Sequence, residues 1–332
     1  MTFALNRRQL LGAAAAAAAS SLAPVHAAQW PNRPVRIVVA FAPGGPVDLL
    51  ARRIATELST VFGQSFTVEN YAGAGGRIGT RMVSQAKGDG YTLLATSSAN
   101  HGSGPALYPQ KELGFDAVNG FTHIGLIGRG AMALIVRADS PWRSLQDMVR
   151  DTKASGQSVH YGSAGIGSLS HLAGELTAQT LDIPLEHVAY RGSALAQIDL
   201  LAGQVPLLCD TLLPPHLPLV RSGALRVLAV YTPQRLPLLP DAPCIAELGW
   251  PQLAASSWFG LCGSPGMPKD ITDRINVALR EMLGRSKMNK EMIELGITPE
   301  TALNARAYAD FVESEVRRWT EVVRVGRIQV SA

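Results

Sequence analysis

The sequence predicts a two-domain α/β fold built on parallel sheets, and three observations predict it. Two strand–helix–strand units recur roughly 120 residues apart, each with a glycine-rich turn between strand and helix. Such units require parallel pairing, because the crossover helix returns the chain to the same edge of the sheet. About 305 residues follow an N-terminal leader, more than one core comfortably organises. Apolar residues make up 47% of the chain and charged ones 17%, which fits packed domains rather than disorder.

The leader carries Arg7 and Arg8, an uncharged run from Leu10 to Leu22, and a small-x-small site at Val25-His26-Ala27. Residues 1–27 therefore read as a secretory signal peptide, with Ala28 first in the mature chain and the periplasm as its destination. The run is shorter and weaker than the ~20 strongly apolar residues of a membrane-spanning helix. Arg7-Arg8-Gln9-Leu10-Leu11 also fits a twin-arginine signal, leaving the export route open. Cleavage removes two arginines, so the formal net charge falls from +4 to +2. With no basic run elsewhere, nucleic acid is not an expected partner. Cys209, Cys244 and Cys262 form no C-x-x-C pair, which argues against metal or thiol-redox chemistry. Cys209 and Cys262 lie in apolar runs and read as buried thiols, with any pairing among the three undecided.

Along the mature chain, residues 35–41 form a β-branched strand broken by Ala42-Pro43-Gly44-Gly45-Pro46. A helix is predicted over 47–62, with Leu50, Ile54, Leu58 and Val61 on one face and Gly63 ending it. Strands follow at 65–70 and 91–97, around a helix at 75–87 opened by a glycine cluster. Residues 98–120 read mostly as loop. Strands are predicted at 121–127 and 131–137, then a helix at 144–154. The second unit is a strand at 158–162, the turn Ser163-Ala164-Gly165-Ile166-Gly167, a helix at 168–181 and a strand at 185–190. Helices at 193–201 and 214–222 alternate with strands at 205–210, 226–230 and 256–263. Helices at 270–284, 287–295 and 304–323 close the chain.

Ligands of parallel sheets bind beyond the carboxyl ends of the strands, where both glycine turns lie. A turn that opens a helix offers free N–H groups and the positive end of a helix dipole. Two such turns facing across one shared cavity would hold an acidic guest without a formal cation, although glycine at such a turn also serves simple tight turning. Asp48, in a first helical turn, reads as a cap for nearby N–H groups or an indirect ligand contact. Asp210, ending a strand, is placed for a ligand contact or for ordering a loop. Arg191 reads as a carboxylate partner or a solvated side chain, and His171 as a structural histidine. No nucleophile elbow, H-E-x-x-H or phosphate-loop signature occurs, and the stretch 165–170 has Ser170 where a dinucleotide fingerprint needs its third glycine. No cofactor, metal ion or catalytic residue is therefore expected. The rival reading is an exported hydrolase or isomerase acting on a small acid through Asp210, His171 and a loop serine.

The residues also match a family in order. Trp30-Pro31-Asn32-Arg33-Pro34, the segment Ala42 to Asp48, Gly73-Ala74-Gly75-Gly76, Asp89-Gly90-Tyr91-Thr92, Ser170-His171-Leu172-Ala173-Gly174-Glu175 and Ser257-Trp258-Phe259-Gly260 are similar to its recurrent segments. Over essentially the whole mature chain, the sequence resembles the tripartite tricarboxylate transporter (Bug-type) extracytoplasmic receptors. The resemblance implies a type II periplasmic-binding-protein fold, two α/β lobes joined by two hinge strands near Gly128-Arg129-Gly130 and Ala254-Ala255-Ser256. Lobe one would take 28–129 and 255–332, and lobe two 130–254. It implies a monomer binding a small carboxylate for membrane permease subunits or a signalling partner. The implied ligand contacts are Ala42, Gly45, Val47 and Asp48 on one side, and Ser163, Gly165, Ser168, Tyr190, Gly192 and Asp210 on the other. Val47 departs from the hydroxyl residue common at its place, removing one donor.

Overall fold

The computed structural model describes residues 30–212 and 214–329. The signal-peptide and twin-arginine readings fall on residues 1–27 and lie outside them. Strand β1 (Val35–Val39) leads to helix α1 (Pro46–Phe62) and β2 (Phe66–Asn70), then α2 (Arg77–Ser84) and β3 (Thr92–Ser97). β1 pairs in parallel with both β2 and β3, as the first strand–helix–strand pattern requires. Leu50, Ile54 and Leu58 bury on one face of α1, and Gly63 closes the helix in the left-handed conformation with its N–H on Ser59 O. Val61, the fourth member of the predicted stripe, is exposed.

The predicted pair of strands at 121–127 and 131–137 is one strand, β4 (Thr122–Arg137). It runs through Gly128-Arg129-Gly130 without a break. From Thr122 to Ala131 it pairs antiparallel with β9 (Ser256–Gly263). From Met132 onward it pairs with β7 (Leu207–Thr211) and β8 (Leu225–Val230). The boundary that the resemblance implies at 129/130 falls two residues before this change of partners. β5 (Val159–Ser163) pairs in parallel with β6 (Leu185–Ala189) and with β7, forming the second parallel unit. Helices α3 (Leu145–Ser155), α4 (Leu169–Leu181), α5 (Ser193–Leu201) and α6 (His216–Arg221) belong to this half. Toward the C-terminus come α7 (Lys269–Gly284), α8 (Ser286–Glu294), β10 (Ile297–Pro299) and α9 (Ala305–Gly326). β10 was not legible: three residues ending in proline carry no period-two pattern. Residues 98–120, read as loop, hold a wide helical turn at Ala99–Ser103 and two single-turn helices.

Each half-sheet is covered on both faces. Ile37, Val39, Ile54 and Leu93 lie in one core and Val38, Leu94, Trp258 and Tyr308 in its opposite. Met132, Leu134, Leu172 and Leu207 fill one face of the second sheet, with Ala133, Ile135, Leu208 and Val230 on the other. The three cysteines are buried and unpaired. Helix α9 serves both halves: Tyr308 and Val312 pack with Trp258, whereas Trp319 and Val322 pack with Met132 and Leu134. Between them, buried Glu315 accepts the indole N–H of Trp258 at 2.9 Å and that of Trp319 at 3.1 Å through the same oxygen. The last turns of the chain therefore join the second core, although the lobe division from the resemblance places all of 255–332 in the first.

Replacing Glu315 by Leu strands two buried indole donors, each worth ~1–3 kcal/mol when unsatisfied. Glu315→Leu should lower unfolding stability by about 2–5 kcal/mol in urea, whereas Glu315→Gln, which keeps an acceptor oxygen, should lose much less. Equal midpoints for Glu315→Leu and the wild type would show that this carboxylate does not tie the two cores together.

Candidate functional site

The first glycine turn leaves β1 at the carboxyl edge and enters α1 at Gly45. Asp48 is 2% exposed and faces inward. Its Oδ2 accepts the Gly44 N–H at 2.9 Å and Arg52 Nε at 3.0 Å, and its Oδ1 accepts Asn70 Nδ2 at 2.8 Å. Asn70 Nδ2 also donates to Phe41 O at 3.1 Å. Asp48 is thus a staple that fixes the turn on β2. The Arg52 hydrogen bond, with those of Gly44 and Asn70, overcomes burial and holds its pKa at about 2. Val47 is buried in the core, so only its backbone N–H can face a guest. Ala42 is exposed. Gly45 is the N-cap residue and no side chain caps α1, so the first-turn N–H groups of Val47 and Asp48 point out of the helix end.

The second glycine turn differs from expectation, because three of its amides are taken up by side chains next to it. The N–H of Ala164 goes to Ser170 Oγ at 2.9 Å, that of Gly165 to Ser163 Oγ at 3.0 Å, and that of Gly167 to His171 Nδ1 at 3.0 Å. Ser168 caps α4 itself, accepting the His171 N–H. An uncapped helix end in this half is that of α5, which starts after Gly192 (φ 113°); the short α6 also lacks a side-chain cap. An added Cβ at Gly192 would meet nothing within 4 Å. Tyr190 turns back onto its own half, donating its hydroxyl to Asp199 at 2.9 Å. Burial and that carboxylate push its pKa up to about 12.

Asp210 sits at the end of β7, 2% exposed. Its Oδ1 accepts the Thr211 N–H at 2.8 Å and Ser193, the first residue of α5, also donates to the carboxyl group. Oδ2 is buried without a protein partner among the described residues. Burial therefore lifts this carboxyl to about 6. His171 and His187 stack with ring centroids 3.7 Å apart, and burial holds both near 4, so both are neutral at pH 7. No Ser–His–Asp relay forms among the described residues. His171 uses Nδ1 on a backbone amide, Ser168 Oγ bonds Gly165 O at 2.6 Å, and Asp210 contacts neither ring. Ser163 does meet the His187 ring but is fully buried. No group of His, Cys, Asp and Glu among the described residues is placed to hold a metal ion.

Two cavities open between the facing edges of the halves. One, of about 240 Å³, is apolar and takes Gly44, Pro46 and Leu49 from the first half with Thr211, Leu212 and Pro214 from the second. The other, of about 200 Å³, takes Gly75, Arg77 and Asn100 with Ile166, Gly167 and Ser168. Each receives one of the two predicted turns, and neither receives both. Arg77 and Asn100 were missed in the sequence. The available signal was position: the 73–76 glycine cluster follows β2, which is parallel to β1, so it emerges on the same edge as the first turn. A larger cavity of about 680 Å³ lies on the other face of β4, lined by Arg129 and Ala131, which alternate with Gly130, and by Ser256, Tyr231 and Glu300.

The family described as "Tripartite tricarboxylate transporter family receptor" matches over residues 50–327. Protein BugT of Bordetella pertussis is 33% identical over 309 residues, covering 93% of this chain and 94% of that protein. Among solved structures, R. palustris Rpa4515 with adipate is 33% identical with a TM-score of 0.74, covering 90% of this chain and 99% of that one. MatC from Rhodopseudomonas palustris with bound malate is 30% identical with a TM-score of 0.70, covering 89% and 100%. The chain shares the periplasmic-binding-protein fold with these structures.

The charge state of Asp210 sets a pH test. Its pKa is about 6 folded and 3.8 as a free side chain, so the native state holds more protons between those values. Its favourable contribution is complete below about pH 3.8 and is lost as pH rises through 6. Asp210→Asn should accordingly stabilise the protein at pH 8 by up to about 3 kcal/mol relative to its effect at pH 4. A stability difference that does not change between pH 4 and pH 8 would contradict the buried, half-partnered carboxylate.

Proposed function

Because the chain belongs to the tripartite tricarboxylate transporter receptor family, we propose that it is an exported receptor that captures a small organic acid between its lobes. The family is one of receptors, not enzymes. In this reading residues 1–27 direct export to the periplasm, by the general or the twin-arginine route. The monomeric, acid-loaded protein docks on membrane permease subunits. The lobes are the two half-sheets, and β4 and the chain entering β9 are the hinges.

The observation that carries the proposal is a pair of uncapped helix starts, α1 after Gly45 and α5 after Gly192, one in each half. Each offers N–H groups and a partial positive charge to an anion, worth ~0.3–2 kcal/mol depending on burial. The Gly45, Val47, Gly192 and Asp210 assignments rest on these two ends. Asp48 and Tyr190 act at one remove, by fixing the turn and by packing beside α5. Ala42, Gly165 and Ser168 complete the facing surfaces, and buried Ser163 supports them from behind by accepting the Gly165 N–H. The adipate and malate in the two relatives are acids of the class proposed.

A thermal-shift screen over a panel of carboxylic acids tests the reading, with Gly45→Val as the control. Gly45 has φ −76° and ψ 167°, extended values that valine adopts freely, and an added Cβ lies 3.8 Å from the nearest atom, Ala42 O. The variant should fold normally and lose at least about tenfold in affinity, because its side chain covers the N–H groups of α1. Full affinity in Gly45→Val would remove the site from this helix end. Gly165 is a poorer probe, since at φ 131° an added Cβ would come within 2.9 Å of Tyr190 O.

Lobe closure has its own test. Closure about β4 that narrowed the cleft in front would widen the 680 Å³ cavity behind it. Ser256 lines it, so Ser256→Trp should wedge the back open, favour the closed form, and raise acid affinity severalfold by removing part of the cost of closing. Weaker binding in Ser256→Trp would argue against closure about these strands.

A further inference from the structure

The cavity of about 200 Å³ beside the second glycine turn contains a feature that helix ends alone do not provide. Among the described residues, Arg77 is the single charged side chain on its wall. Its Nε donates to Ala74 O at 2.9 Å, and its guanidinium lies 4.3 Å from the centre of the Tyr108 ring. No carboxylate pairs with Arg77 among the described residues, and its Nη groups make no hydrogen bond there. Arg81 and Glu112 stand with it around an open depression on the outer side, but neither lines the cavity. The position is not explained by helix stability either. Arg77 is the first residue of α2, where a cation opposes the helix dipole.

The rest of the wall is suited to the body of an organic molecule. Leu107, Tyr108, Leu113, Phe115 and Ile166 supply apolar surface. Asn100 is buried and already committed, donating to Thr80 Oγ1 at 2.7 Å and accepting from Ser97 Oγ at 2.9 Å. Gly75 of the cavity wall follows β2, which is the parallel neighbour of β1, so the cavity and the first turn lie at the same edge of the sheet. A ligand whose acid group sits at the start of α1 would extend along that edge to reach Arg77.

We propose that Arg77 forms a second anion subsite, which receives the far acid group of an elongated organic dianion whose apolar middle lies against the Leu107–Phe115 wall. The proposal rests on the carboxylate-receptor reading and adds to it a cation and a selectivity. Ile166, Gly167 and Ser168 face Arg77 from the other half, so a guest held here touches both lobes. Planar, delocalised guanidinium suits a carboxylate or sulfonate better than an ammonium would, because it donates two parallel hydrogen bonds. A monoacid of the same length leaves Arg77 solvated and gains nothing from it.

Calorimetric titration of the full mature protein with α,ω-dicarboxylates of graded length, and with the monocarboxylates matched to them, tests this. The wild type should prefer the best diacid over its matched monoacid. In Arg77→Gln that diacid should weaken by about tenfold or more while the monoacid changes little, collapsing the ratio. Diacid affinity should also lose part of its salt dependence in that variant. Arg77→Lys, which keeps the charge, should retain part of the preference, and circular dichroism of both variants should match the wild type. An unchanged diacid-to-monoacid ratio in Arg77→Gln overturns the subsite and leaves the receptor reading standing. Failure of the wild type to bind any acid overturns both.

Discussion

One strand holds this molecule together as a two-part device. β4 runs for 16 residues and exchanges partners between Ala131 and Met132, from β9 on one side to β7 and β8 on the other. Every element that faces the gap is positioned relative to it. The first parallel unit is attached through β3 and β9, the second through β7 and β5. The two halves therefore share one continuous strand. α9 adds a second connection on the far side, where Glu315 takes one indole from each core. The two cavities that meet the glycine turns thus lie between halves joined by the backbone hydrogen bonds of β4.

The glycines in β4 illustrate why a sequence reading and a structure part company. Gly128-Arg129-Gly130 reads as a break between two strands, since glycine weakens a strand and signals a turn. In the structure these glycines are extended, and close neighbours account for them. A Cβ on Gly128 would meet Thr298 O at 2.7 Å, and one on Gly130 would meet Ser257 Oγ at 2.6 Å. β10 pairs over this stretch, with Pro299 opposite Gly128 and Ile297 opposite Gly130. Local composition reports that glycine is present. Only the partner strand, distant in sequence, reports whether it is there for a turn or for close approach. A long amphipathic element escapes this ambiguity, which is why α1 forms where the residue pattern places it.

The same distinction separates the two glycine turns. Both were legible as strand-to-helix turns at the carboxyl edge. What the sequence did not disclose is which turn keeps its amides free. The second turn is rich in serines and carries His171 one helical turn away, and these side chains take up its N–H groups. The first turn has proline, valine and glycine where the second has hydroxyls, so nothing local competes for the end of α1. The end of α1 is uncapped because its N-cap residue is Gly45, which has no side chain to turn back on the helix. Around Gly192 the outcome is similar, and the free end in the second half belongs to α5 rather than α4.

Two buried carboxylates, equally hidden, then take opposite roles. Asp48 is surrounded by four donor groups, from Gly44, Arg52 and Asn70, and stays charged far into acid. Asp210 has the Thr211 amide and Ser193 but leaves Oδ2 unmatched, and it gains its proton near pH 6. The difference decides what each can do next to an anion. A charge neutralised by Arg52 adds little repulsion across the gap, so Asp48 can shape the turn without opposing a guest. An unmatched carboxylate under the start of α5 competes with a guest for that helix end when ionised, and ceases to compete when protonated. If the start of α5 holds an acid, as proposed, its capture would be coupled to the proton on Asp210 through proximity to the same helix terminus.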